Sequence, residues 1–214
     1  MSRLLITRPD HDDVTAYLHA WSGKVIEEAR RHGLEIFDLK GERANRKDME
    51  SIIRDKQPVL VLFNGHGNEK EIAGYNDDTL ISLGHNENLL DRKIVYSVAC
   101  SSAKELGRKC TDSANCSAFI GYEEDFAFYY DPNRLSRPLS DAIAAPNLDS
   151  SNQVGISLVK GNDAKESFRM SQNAFRKWIG KFMGSKELEA PYVLQTLIHN
   201  MMSQSLHGNG GSKI

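Results

Sequence analysis

The chain has 214 residues, 40% of them apolar and 26% charged. That is the balance of a folded globular protein, so disorder over the whole length is excluded and one domain is the expectation. Its 27 Lys and Arg face 29 Asp and Glu, a formal charge of −2 with no long block of either sign. The basic stripe from which general nucleic-acid binders draw their counterion-release affinity is missing.

Periodicity alternates short apolar runs with longer amphipathic stretches. Arg3–Thr7 reads as a strand. Asp12–His32 reads as a helix, with Val14, Leu18, Trp21, Val25 and Ala29 on one face and Gly33 as its stop. Leu34–Leu39 is a second strand, and Lys47–Lys56 a second helix ending before Pro58. Val59–Phe63 is a third strand, apolar throughout, as a parallel strand covered on both faces should be. Ile94–Ala99 is a fourth, with Ser101–Lys109 a short helix behind it, and Ser117–Gly121 a fifth. Residues 131–153, with Pro132, Pro138 and Pro146, carry little pattern and read as a loop, a cleavable linker or a helix around Leu139–Ala145. Val154–Val159 reads as a sixth strand, followed by helices over Asp163–Met183 and Glu189–Leu206. These predict a three-layer α/β/α domain over residues 1–206 with a mainly parallel six-stranded sheet. Residues 207–214 are expected to be a flexible tail.

No apolar run is long enough to cross a bilayer, and Leu4-Leu5-Ile6 is too short a core for a signal peptide. Three cysteines are too few for a disulfide framework, so a reducing, cytoplasmic setting is expected.

In an open parallel sheet, ligands gather at the carboxyl ends of the strands. The third strand runs into Gly65-His66-Gly67, and the fourth runs into Cys100-Ser101-Ser102. Taken singly, such a histidine is a turn residue and such a cysteine a small core side chain. On neighbouring strands they emerge side by side, where an imidazole can deprotonate the thiol that attacks a carbonyl. Glycines around His66 let the backbone turn sharply and bring an amide towards a substrate oxygen.

An apolar strand ending in His-Gly, then another ending in Ala-Cys, resembles the caspase-like (clan CD) cysteine peptidases. True caspases carry Gln-Ala-Cys, with the histidine about 50 residues upstream. Here the motif is Val98-Ala99-Cys100, with His66 only 34 residues before the cysteine. Gly65-His66-Gly67, the segment Ile72–Leu80 and Ala99-Cys100-Ser101-Ser102 are more similar to the bacterial CHAT-type branch. The resemblance implies a cysteine endopeptidase with Cys100 as nucleophile and His66 as acid–base partner. It implies an oxyanion hole made by the amides of Gly67 and Cys100, and no metal or other cofactor for bond cleavage. No third orienting side chain is assigned. The resemblance also implies regulated or defence-associated proteolysis of a protein substrate, with an activating protein partner.

At the recognition-pocket position, Val98 lacks the caspase glutamine. Glu123, Glu124 and Asp125 follow the fifth strand and would suit a Lys or Arg side chain, with Tyr122 and Phe126 packing its stem. Asp77, with Asp78, can contribute from the loop after His66. Acidic loop residues that are simply solvated remain the other reading. With basic specificity, Arg134 and Arg137 are candidate self-processing points. Cys110 and Cys116 lack a second ligand pair and are read as structural. His11, His19, His32, His85, His199 and His207 are assigned helix, loop or surface roles. Two rivals stay in view: a catalytically silent caspase-like scaffold, and a thiol acyl transferase, whose histidine lies downstream of its cysteine instead of upstream.

Overall fold

The computed structural model describes residues 1–113 and 115–214. Its strands are β1 (Arg3–Arg8), β2 (Glu35–Lys40), β3 (Leu60–Asn64), β4 (Glu71–Ala73), β5 (Thr79–Ser82), β6 (Ile94–Val98), β7 (Ala118–Tyr122) and β8 (Gln204–Gly208). The helices are α1 (Asp13–Arg31), α2 (Arg46–Lys56), α3 (Arg108–Asp112), α4 (Ala145–Val159), α5 (Ala164–Met183) and α6 (Ala190–Ser203). Six strands form one sheet in the order β2-β1-β3-β6-β7-β8, parallel except for β8, which runs antiparallel to β7.

Alternation along the strands divides the core. Leu4, Ile6, Leu60, Leu62, Tyr96 and Ile120 face α1, α4 and α5. Leu5, Val61, Phe63, Val95 and Phe119 face α2, α3 and the β4–β5 hairpin. A smaller cluster, with Phe175, Val193 and Leu197 at its centre, joins α5 to α6. The three-layer architecture with a mostly parallel six-stranded sheet is therefore the one expected. Among the described residues, no helix is long and apolar enough to cross a membrane.

The sixth strand is not where the pattern placed it. Val154–Val159 alternates apolar and small residues, yet it is the last part of α4. That helix is wedged between α1 and α5, so nearly every face is covered and the 3.6-residue period is lost. Gly155 admits the close approach, since a Cβ there would lie 3.0 Å from Val25 Cγ1. The preceding segment is tied down by Asp141, which accepts from Tyr17 Oη at 2.6 Å, Asp131 N at 2.8 Å and Ile143 N at 2.8 Å. The sixth strand is β8, taken from the end of the expected last helix and the start of the expected tail. His207 pairs with Phe119, and beyond the strand Asn209 N donates to Ser117 O at 2.8 Å. The chain after His207 is thus bonded to the sheet edge, not free.

Candidate active site

Sheet order brings four loops to one edge. Strands β1, β3, β6 and β7 are consecutive neighbours, so the residues after their carboxyl ends stand in a row. Asn64 pairs with Val98 in register, and His66 and Cys100 each lie two residues beyond that pair. Gly67 seats against the cysteine loop: a Cβ there would lie 2.9 Å from Ala99 Cβ and 3.3 Å from Cys100 O. The hairpin after His66 is bonded through His66 O, from Ala73 N at 2.9 Å, and Asn68 N, to Glu71 O at 3.0 Å. Those bonds leave the Gly67 N–H outside the hairpin.

The β1 loop adds a group that the linear motifs do not reveal. Asp12 is the N-cap of α1: its Oδ1 accepts from Thr15 N at 2.7 Å, while Thr15 Oγ1 accepts from Asp12 N at 3.0 Å. Its second oxygen, Oδ2, lies 2.6 Å from His66 Nε2. Burial acts to raise the Asp12 carboxyl, but the bonds from His66 and Thr15 outweigh it and hold the group below its ordinary value. An ionised carboxylate can only accept, so Nε2 is the protonated ring nitrogen and Nδ1 is left as the base of the neutral imidazole. Asp12 is a candidate orienting residue not assigned from the sequence, 54 positions from His66 and identifiable only once β1 is placed beside β3.

His11, expected in a helix, loop or surface role, lies in the loop between β1 and α1. Its ring packs edge-on to His66 and Tyr75, with centroids 5.8 and 5.4 Å away. Its side chain is mostly shielded from solvent beside His66.

Cys100 is half-buried, whereas Cys110 and Cys116 are buried and unpaired among the described residues. Burial first, and the Asp125 carboxylate second, push the Cys100 thiol up, against the backbone N–H groups of Phe126 and Cys100 itself. The resting side chain is therefore a thiol at neutral pH, and something must deprotonate it. Ser101 follows in the left-handed region at φ 54°, a costly conformation for serine and the mark of a sharp turn after Cys100. The turn is held by Ser101 N donating to Glu124 O at 3.1 Å and Ser101 Oγ donating to Asp125 Oδ1 at 3.0 Å.

The expected pocket residues separate into groups. Asp125 is exposed and beside the thiol, and Glu124 is exposed next to it. Glu123 turns away, to Arg108 at 3.2 Å and His207 at 3.4 Å. Asp77 stands on the β4–β5 side, its Oδ1 3.8 Å from His11 Nε2. Val98 is a core residue beneath α1 and α4, so it offers no side-chain surface to a ligand. Tyr122 is fully buried, its hydroxyl bonded to Ser151 and Gln204, and Phe126 packs on it inside the core. Neither is placed to line a cleft. Arg134 and Arg137 lie exposed in the two short turns before Asp141.

No family model and no curated protein matches the sequence. Solved structures do match the fold. The complex of the RgpB pro- and mature domains from Porphyromonas gingivalis aligns with a TM-score of 0.60 at 10% identity, over 100% of this chain and 48% of that one. The Arg-specific cysteine proteinase gingipain R aligns at 0.59 and 12% identity, over 100% of this chain and 47% of that one. This chain thus spans about half the length of each neighbour. What the likeness shows at such identity is the fold: the caspase-like α/β arrangement in which gingipain R is built.

Proposed function

We propose that the protein is a cysteine endopeptidase in which Cys100 attacks the scissile carbonyl and His66, oriented by Asp12, moves the protons. The observation that carries this reading is the equal offset of His66 and Cys100 beyond a paired position on adjacent strands, with Asp12 fixing the imidazole. In the first step His66 Nδ1 takes the thiol proton and sulfur bonds to the carbonyl carbon. The oxyanion that develops is met by the amides of Gly67 and Cys100. The imidazolium, paired with Asp12, then protonates the leaving amine, and water resolves the acyl-enzyme.

A basic residue before the cut suits this site. Asp125, whose carboxylate adds to burial in holding the Cys100 thiol up, accepts from Ser101 Oγ yet stays exposed to a Lys or Arg side chain, with Glu124 beside it. Pairing Asp125 with a substrate cation would offset the repulsion that opposes the thiolate, so recognition and activation are coupled. The Arg specificity of gingipain R, whose fold this chain shares, points the same way. In this reading the setting is the reducing cytoplasm expected from the three cysteines, with an activating protein partner and regulated or defence-associated cleavage, as the CHAT-type resemblance implies. Arg134 and Arg137 are then the self-processing points. The test is turnover of peptides carrying Lys, Arg, Asp or Leu before the cut. Preference for Lys and Arg that falls at least tenfold in Asp125→Lys supports the pocket. Unchanged preference refutes it, and absence of turnover with any activator favours the silent scaffold.

A further inference from the structure

Beside the catalytic pair lies a histidine that the peptidase chemistry does not use. The His11 side chain is 10% exposed. Neither ring nitrogen has a hydrogen-bond partner among the described residues, and both are shielded from solvent. Buried polar nitrogens are nearly always satisfied, so such a ring needs a ligand to explain it. It is held between His66 and Tyr75, with Nε2 3.5 Å from Asp12 Oδ2. The same Asp12 oxygen is the one bonded to His66 Nε2 at 2.6 Å. One ligand-capable atom each from His11, Asp12 and His66 lies within 4.8 Å of the other two. Around a tetrahedral zinc with bonds near 2.1 Å, ligand atoms are about 3.4 Å apart, so small side-chain adjustments close this set on an ion.

We propose that His11, Asp12 and His66 form a binding site for a divalent transition metal of the zinc class, and that occupancy switches the peptidase off. Two imidazoles and one carboxylate select Zn²⁺ over Mg²⁺ or Ca²⁺, which demand oxygen-rich shells. A water takes the fourth position, on the side where Asp77 stands. Inhibition follows from the tautomer and needs no contact between metal and sulfur. With the metal on His66 Nε2, the proton that Nε2 donated to Asp12 must move to Nδ1 for the ring to remain a neutral ligand. Nδ1 then has no lone pair for the Cys100 proton, while Asp12 is engaged by the ion. This consequence rests on the peptidase reading of His66; the metal site itself does not.

The test is calorimetric titration of the full chain with ZnCl₂, with the visible absorption of a CoCl₂ titration as a geometric check. One equivalent should bind, with tetrahedral cobalt absorption, and millimolar Mg²⁺ should not compete. Affinity should fall at least tenfold in His11→Ala and in His66→Ala, the latter an exposed change that spares the core, and stay within twofold in Cys100→Ser. No saturable zinc binding by the wild-type chain overturns the site, as does affinity that survives both histidine changes or depends on Cys100. Alkylation of Cys100 by iodoacetamide, read by intact mass, tests the consequence: one equivalent of zinc should slow it at least tenfold in the wild type. Zinc that binds through His11 and His66 but leaves alkylation unchanged overturns the switch and identifies the reading of His66 as the failed part.

Discussion

Asp12 holds two jobs that a single substitution can separate. As N-cap it satisfies Thr15 N; as carboxylate it fixes His66. Asparagine caps a helix about as well as aspartate, so Asp12→Asn should keep the first job, whereas Asp12→Ala should cost about 1 kcal/mol, or roughly 2–4 °C in Tm for a chain of this size. The second job depends on charge. The side chains of His66 and Asp12 are 37% and 39% exposed, so the interaction at 2.6 Å is screened by solvent. At a water-like dielectric it is worth about 1–2 kcal/mol to the imidazolium. Losing it should lower the rate of Cys100 alkylation near neutral pH about 5- to 30-fold, because less imidazolium–thiolate pair is present. Rates are read by intact mass with iodoacetamide, with thermal unfolding measured in parallel. Wild-type alkylation in Asp12→Asn would refute the orienting role. Equal loss of Tm in Asp12→Asn and Asp12→Ala would refute the division of labour.

Three further outcomes follow from the geometry. Asp125→Asn removes a carboxylate that disfavours the Cys100 thiolate, so its alkylation profile should move to lower pH; a shift to higher pH, or none, contradicts the assignment. Gly67→Ala places a Cβ 2.8 Å from Glu71 O and 2.9 Å from Ala99 Cβ, so stability should fall by about 1–3 kcal/mol in urea titration. Alkylation of Cys100 by peptidyl electrophiles should fall about 100-fold in the same variant, because displacing reacting groups by an ångström is that costly. Asp141→Ala removes the main acceptor of the buried Tyr17 hydroxyl and of the part-buried amides of Asp131 and Ile143, and should lower stability by about 2–3 kcal/mol without changing the Cys100 alkylation profile in the folded protein.

The sequence pointed to the two candidate reacting groups, His66 and Cys100, because each follows an apolar strand, and those strands are readable from composition alone. Their adjacency was an inference from topology, and the β3–β6 register supports it. Asp12 and His11 were hidden for a different reason. Their role depends on β1 lying beside β3, and nothing local distinguishes a capping aspartate from one that also holds a histidine. The misread strand at Val154–Val159 reflects burial on all sides, which erases helical periodicity. The β4–β5 hairpin was missed because three- and four-residue strands leave almost no pattern. Likewise β8 follows α6 without a break, so its alternation was absorbed into the expected helix.

The most direct test of the account is intact mass after incubation with peptidyl electrophiles bearing Lys, Arg, Asp or Leu at the first recognition position. A single adduct on Cys100 is expected with the Lys and Arg probes, slowed in His66→Ala and absent in Cys100→Ala, with Cys110 and Cys116 unmodified in the folded chain. Modification of all three thiols at similar rates, or no adduct from any peptidyl probe while a small neutral agent reaches Cys100, would contradict it.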